Sequence, residues 1–119
     1  MEPTEHKEQT LFYKWCLANS ETYPDLNAIF AIPNGGNRDA ITGRHLKDEG
    51  VRAGVPDMFL PVARGNWHGL FIEMKKRSGG RVSKEQLTWA SVLNGLGYLT
   101  IIAKGFQEAR EHVIKYYSA

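Results

Sequence analysis

Between residues 4 and 19 the apolar positions Leu11, Phe12, Trp15 and Ala18 recur at spacings of three and four, which predicts a helix with one buried stripe. Tyr23-Pro24-Asp25 ends that pattern. Residues 28–32 form a short apolar run of strand type, and Pro33-Asn34-Gly35-Gly36-Asn37 follows as a strong turn signal. Residues 38–49 then read as a second helix closed by Gly50 in the left-handed cap position. Two strand segments, 56–62 and 69–75, flank a medium loop and predict a hairpin. Ser83-Lys84-Glu85-Gln86 fits a capping box, with Leu87, Ala90 and Leu93 as the buried stripe of a third helix that Gly95 and Gly97 stop. A β-rich run over 98–103 and a last helix carrying Phe106, Ala109, Val113, Ile114 and Tyr117 complete the chain. The predicted order is αβαββαβα, an α/β fold of the mixed-sheet α+β kind with helices packed on the sheet.

Composition narrows the class. With 119 residues, 42% of them apolar and 24% charged, the chain is expected to be a single soluble globular domain over residues 1–119, able to build a core without disulfides or metals. No apolar stretch approaches the ~20 residues of a membrane span. The charged N-terminus lacks the apolar segment of a secretory signal, so a cytoplasmic location is expected. Cys16 is the single cysteine, which excludes an internal disulfide and a cysteine-built zinc knuckle. A net charge of +2 does not announce nucleic-acid binding. Its distribution says more: Lys75, Lys76, Arg77, Arg81 and Lys84 make a basic run, whose ordinary meaning is a solvated loop.

The predicted hairpin carries the chemistry. Side chains alternate between faces of a strand, so Asp57 and Phe59 share one face with Phe71, Glu73 and Lys75 when the strands pair about their loop with position numbers summing to an even value near 132. Glu73 and Lys75 then stand roughly 6.6 Å apart along one strand, with Asp57 across from them. Two acids and a lysine within apolar strands are poor choices for packing, because a buried ion without a partner is costly. A structural ion pair at a strand end explains Lys75 with one acid equally well. Glu8 lies on the stripe of Leu11, Phe12 and Trp15 and is expected to bring a third acid inward, with Glu5 one turn earlier as the reserve. As a first-turn acid, Glu5 also has the simpler role of complementing the helix dipole. Three acids and a lysine suit a divalent ion with oxygen ligands, Mg2+ or Mn2+, and hydrolysis of a phosphodiester.

Pro56-Asp57 followed by Glu73-Met74-Lys75 resembles the PD-(D/E)XK nuclease signature. Together with Gly54-Val55-Pro56-Asp57, the run 69–75, Ser83 with Gln86, and the opening Glu5-His6-Lys7-Glu8-Gln9, most of the chain resembles a virus-type replication-repair nuclease (VRR-NUC) domain. The resemblance implies a restriction-endonuclease-like core, metal-dependent DNA cleavage, and kinship with Holliday-junction resolvases and structure-specific repair nucleases. It implies that Glu8, Asp57 and Glu73 hold the metal, joined by the Met74 carbonyl, and that Lys75 is catalytic. Gln86 matches the family's helix glutamine near the site, although the capping box explains it without chemistry. Standalone members resemble resolvase dimers, so a symmetric homodimer acting on branched DNA is expected. Expected DNA contacts are Asn34 to Arg38, Arg44, Lys47, Arg52, Lys76, Arg77, Arg81 and Lys84. The alternatives are a non-cleaving nucleic-acid-binding module on the same fold and a restriction-type endonuclease. His6, His45, His68 and His112 lack ligand spacing and are expected at the surface or at caps; Trp89, Tyr98, Tyr116 and Tyr117 are expected to pack, and Trp67 to sit exposed in the hairpin loop.

Overall fold

The computed structural model describes residues 2–33 and 40–119. Helix α1 (Glu5–Ala18) starts where the Thr4 side chain accepts the Lys7 N–H, a standard N-cap. Its buried line is Glu8, Phe12 and Cys16, one residue every four, whereas Leu11 and Trp15 are half-buried and Ala18 faces solvent. The expected stripe therefore turns slightly toward the positions that α4 covers. Asp25 adopts a left-handed backbone (φ 65°) and a 3-10 turn over Leu26–Ala28 leads into β1 (Phe30–Ala31), so the strand expected over 28–32 is shorter. Helix α2 (Ala40–Asp48) ends as predicted at Gly50, with φ 103°; Gly50 N–H reaches the Lys47 carbonyl and Val51 N–H the Leu46 carbonyl, the paired bonds of a Schellman motif.

Strands β2 (Met58–Leu60) and β3 (Gly69–Lys75) pair antiparallel, Met58 with Ile72, Phe59 with Phe71 and Leu60 with Leu70. The strand pairing keeps the expected parity one step closer in, and parity decides which residues share a face. Helix α3 (Lys84–Gly95) crosses over to β4 (Tyr98–Lys104), which pairs parallel to β3, and α4 (Phe106–Tyr117) closes the chain. The sheet order is β1-β2-β3-β4. One sheet face, with Met58, Leu60, Leu70, Ile72, Met74 and Ala103, packs against Phe12 and Cys16 of α1 and Ala109, Val113 and Tyr116 of α4 as the core. The other face carries Phe59 stacked on Phe71 at 4.3 Å with Tyr98 edge-on to both, and continues into Glu73 and Lys75.

Several packing expectations need correction. Leu87 is 56% exposed, because α3 turns Gln86, Ala90 and Leu93 inward instead. In α4 the inward residue is Tyr116, whose hydroxyl donates to the Val62 carbonyl, and Ile114 faces outward. Trp67 packs against the core beneath a bridge between Arg64 and Trp67, so it is not an exposed loop residue.

Gly54 aligns β2 with α3. It has φ 87°, and a Cβ there would lie 2.6 Å from the Glu85 backbone carbon. Both facts forbid a side chain. Gly54→Ala is expected to lower stability by about 2–4 kcal/mol, through strain and a steric clash with backbone, in a urea titration. An unchanged midpoint would show that this close approach is not required.

Candidate metal centre

Asp57 directly precedes β2, and continuing the Met58–Ile72 register one step sets it opposite Glu73. Its Oδ2 accepts the Met74 N–H at 2.7 Å while its own carbonyl accepts from Ile32 N–H at 2.7 Å, so backbone on both neighbouring strands fixes it. Glu73 is 3% exposed and Lys75 7%. The Lys75 ammonium lies 3.5 Å from Glu73 Oε2. Gln86 Nε2 donates to the same oxygen at 2.9 Å, and Gln86 Oε1 at the same time accepts the Ser83 N–H at 2.9 Å. The capping box thus fixes which end of the amide faces the acid. One amide therefore both completes the α3 cap and donates to Glu73.

Glu5, Asp57 and Glu73 each offer a carboxylate oxygen, and these oxygens lie within 4.8 Å of one another. Burial, then the Asp57 charge, pushes the Glu73 carboxyl up to about 8 against the opposing pull of Lys75. Burial and Asp57 also raise Glu5. Glu73 Oε1 is buried without a hydrogen-bond partner. An orphaned acceptor among crowded acids is what a hard divalent cation with oxygen ligands would satisfy. Carboxylates alone form the cluster among the described residues, a donor set that suits a hard divalent cation.

A family model described as the VRR-NUC domain matches residues 4–107. The chain belongs to the VRR-NUC domain family. A solved structure titled "VRR_NUC domain protein" is similar over 98% of this chain and 89% of that chain, at 28% identity and a TM-score of 0.82. No curated protein matches. VRR-NUC membership makes this a nuclease-family fold, and no helix among the described residues is long and apolar enough to cross a membrane.

Of the two N-terminal acids of this VRR-NUC chain, Glu5 lies in the acid cluster and Glu8 does not. Glu8 is fully buried but stands outside the acid cluster. Its Oε2 accepts from Arg77 Nε at 2.8 Å and its Oε1 accepts the Phe106 N–H at 3.3 Å, at the first turn of α4. A Cβ at Gly105 would come within 2.8 Å of Glu8 Oε2, and Gly105 N–H donates to the Lys75 carbonyl at 2.8 Å. Glu8 therefore ties α1, the end of β3 and the start of α4 together. Glu5, one turn earlier, reaches the metal-competent cluster. The inward stripe correctly placed Glu8 in the interior but carried no information about which group waited there.

Among the expected DNA contacts, Asn34 and Arg38 lie outside the described residues. Arg44, Lys47, Arg52, Lys76, Arg81 and Lys84 are exposed. Arg77, also exposed, is committed to Glu8. The loop after β3 is anchored further where Ser78 N–H and Oγ both donate to the Glu2 carboxylate at 2.7 Å.

Two predictions separate these roles. Between Glu73's ordinary 4.5 and about 8 the metal-free folded protein keeps a proton that the unfolded chain has released, so its stability falls as pH rises through that window. Thermal melts are expected to show this fall, and Mn2+ at a hundredfold excess over its Kd to restore about 2.7 kcal/mol at pH 8 and much less at pH 5, where it must displace the proton. A metal-free melt flat across the window would contradict it. In calorimetric titrations Glu5→Ala is expected to weaken Mn2+ binding and leave the melt intact, whereas Glu8→Ala costs about 1–3 kcal/mol by leaving the Arg77 and Phe106 donors without their acceptor. The reverse pattern would return the ligand role to Glu8.

Proposed function

We propose that this chain is a metal-dependent DNA endonuclease that hydrolyses phosphodiester bonds in branched DNA in the manner of a Holliday-junction resolvase. The observation that carries the reading is the convergence of Glu5, Asp57 and Glu73 beside Lys75 and Gln86 at one end of the two central strands. Glu5, Asp57 and Glu73 would hold Mg2+ or Mn2+, with the Met74 carbonyl beside them as the family resemblance suggests. The ion supplies Lewis acidity and offsets charge on the scissile phosphate. Lys75 then acts as the catalytic cation, orienting the attacking water and stabilising charge that builds on the phosphate oxygens as the P–O bond breaks. Gln86 holds Glu73 in place through a bond that the capping box orients. Membership of a nuclease family and the intact acid cluster both favour cleavage over a binding-only module, which would have no reason to keep like charges together.

A symmetric homodimer would present two such centres to two strands, which suits a chain of this size acting on a four-way junction. Cleavage of labelled four-way junctions, flaps and linear duplex tests the proposal. Wild type is expected to cut branched substrates in Mg2+ or Mn2+ and not in EDTA. Lys75→Ala is expected to cut at least about 100-fold more slowly, and Asp57→Ala and Glu73→Ala to lose cleavage while retaining or gaining DNA affinity, because each removes a charge that repels phosphate. Cleavage that persists in EDTA, or undiminished in Lys75→Ala, would overturn the assignment.

A further inference from the structure

Helix α3 turns Gln86 toward Glu73, and its Lys84, Glu85, Thr88 and Trp89 line a groove of about 620 Å3. Lys47, from the last turn of α2, and Arg52, from the segment that follows it, line the other wall. Trp89 is half-buried and takes no part in the core cluster, contrary to the packing role its sequence position suggested. The Arg52 guanidinium lies over the indole, 4.8 Å from the ring centre. Three cations against the single acid Glu85 make the groove positive, and its volume falls within the range of ordinary ligand sites. The groove shares helix α3 with the candidate metal centre, and Gly54 seats the segment that carries Arg52 and leads to Asp57 against Glu85.

We propose that this groove binds an unpaired nucleotide of the DNA substrate, stacking its base on the Arg52–Trp89 pair and placing its flanking phosphates against Lys47 and Lys84. The proposal rests on the nuclease reading and adds a source of preference for forks and flaps, whose single-stranded arms carry unpaired bases, over the fully paired arms of a four-way junction. Lysines alone would meet any phosphate backbone and read no structure. A planar aromatic and guanidinium surface discriminates further, because a base inside a duplex has both faces covered by its neighbours, whereas a base in a single strand or at a branch offers one. Preference for forks and flaps over duplex then follows from the exposure of a base face, with no readout of base edges.

The test measures binding by fluorescence anisotropy in EDTA, which separates it from cleavage, using a forked DNA with single-stranded arms and a blunt duplex of equal length. Trp89→Leu is expected to weaken fork binding about tenfold, the size of one lost base-stacking contact, and to change duplex binding by less than about twofold. Trp89→Phe is expected to recover most of the fork affinity. Lys47→Gln is expected to weaken both DNAs alike and lower the salt slope by about one, as loss of a phosphate contact does. Arg52→Gln alters an exposed side chain and reads the same discrimination should Trp89→Leu fail to fold. Equal losses on fork and duplex for Trp89→Leu and Arg52→Gln, or no loss on either, would overturn the groove assignment. Wild type that binds forks through Trp89 yet cuts no DNA in Mg2+ or Mn2+ would overturn the nuclease reading and leave the groove standing.

Discussion

The carboxylates of Asp57 and Glu73 face each other across two adjacent strands at the margin of an apolar sheet, and the arrangement is electrostatically unfavourable without compensation. Much of the surrounding structure follows from that constraint. The Met74 N–H satisfies one Asp57 oxygen, while Gln86 and Lys75 share one Glu73 oxygen, and the other Glu73 oxygen is left without a donor. Backbone and side-chain donors hold the acids in position, and in the metal-free protein a proton that Glu73 keeps up to about pH 8 offsets their crowding. A divalent cation would take the place of that proton, and Glu5 adds a third carboxylate at the same point.

A second junction keeps that point rigid. Fully buried Glu8 accepts from the first turn of α4 and from Arg77, where it gains from the helix dipole as well as from the ion pair. Because Gly105 also donates to the Lys75 carbonyl, the end of β3 is fixed by the same cluster. Helix α1 thus contributes one acid to the candidate centre and another to the scaffold beneath it. The close approach of Gly54 to α3 performs the equivalent task on the opposite side, setting Gln86 against Glu73.

The order of elements and the faces of the hairpin were legible in the sequence, because period-two alternation and the turn signals depend on local residues. Parity alone put Asp57, Glu73 and Lys75 together even though the pairing centre lay one step from its expected position. Helix periodicity was less informative, since it reports that a residue points inward and not what it meets. Glu8 meets a helix N-terminus and an arginine supplied by segments far along the chain, so the choice between Glu5 and Glu8 needed tertiary structure. Leu87 and Ile114 were misplaced for a related reason: an apolar residue at the boundary of a stripe turns outward when a neighbour, Gln86 or Tyr116, has a specific partner inside. The capping role of Gln86 could be read from its position, but its bond to Glu73 is seen only in the geometry.

Crystals soaked in Mn2+ and measured at the manganese absorption edge test the central claim most directly. The account predicts one anomalous peak bounded by Glu5, Asp57 and Glu73, with Glu73 Oε1 as a ligand and Glu8 still paired with Arg77. A peak at Glu8, or no peak at saturating Mn2+ in protein with these three acids intact, would contradict it.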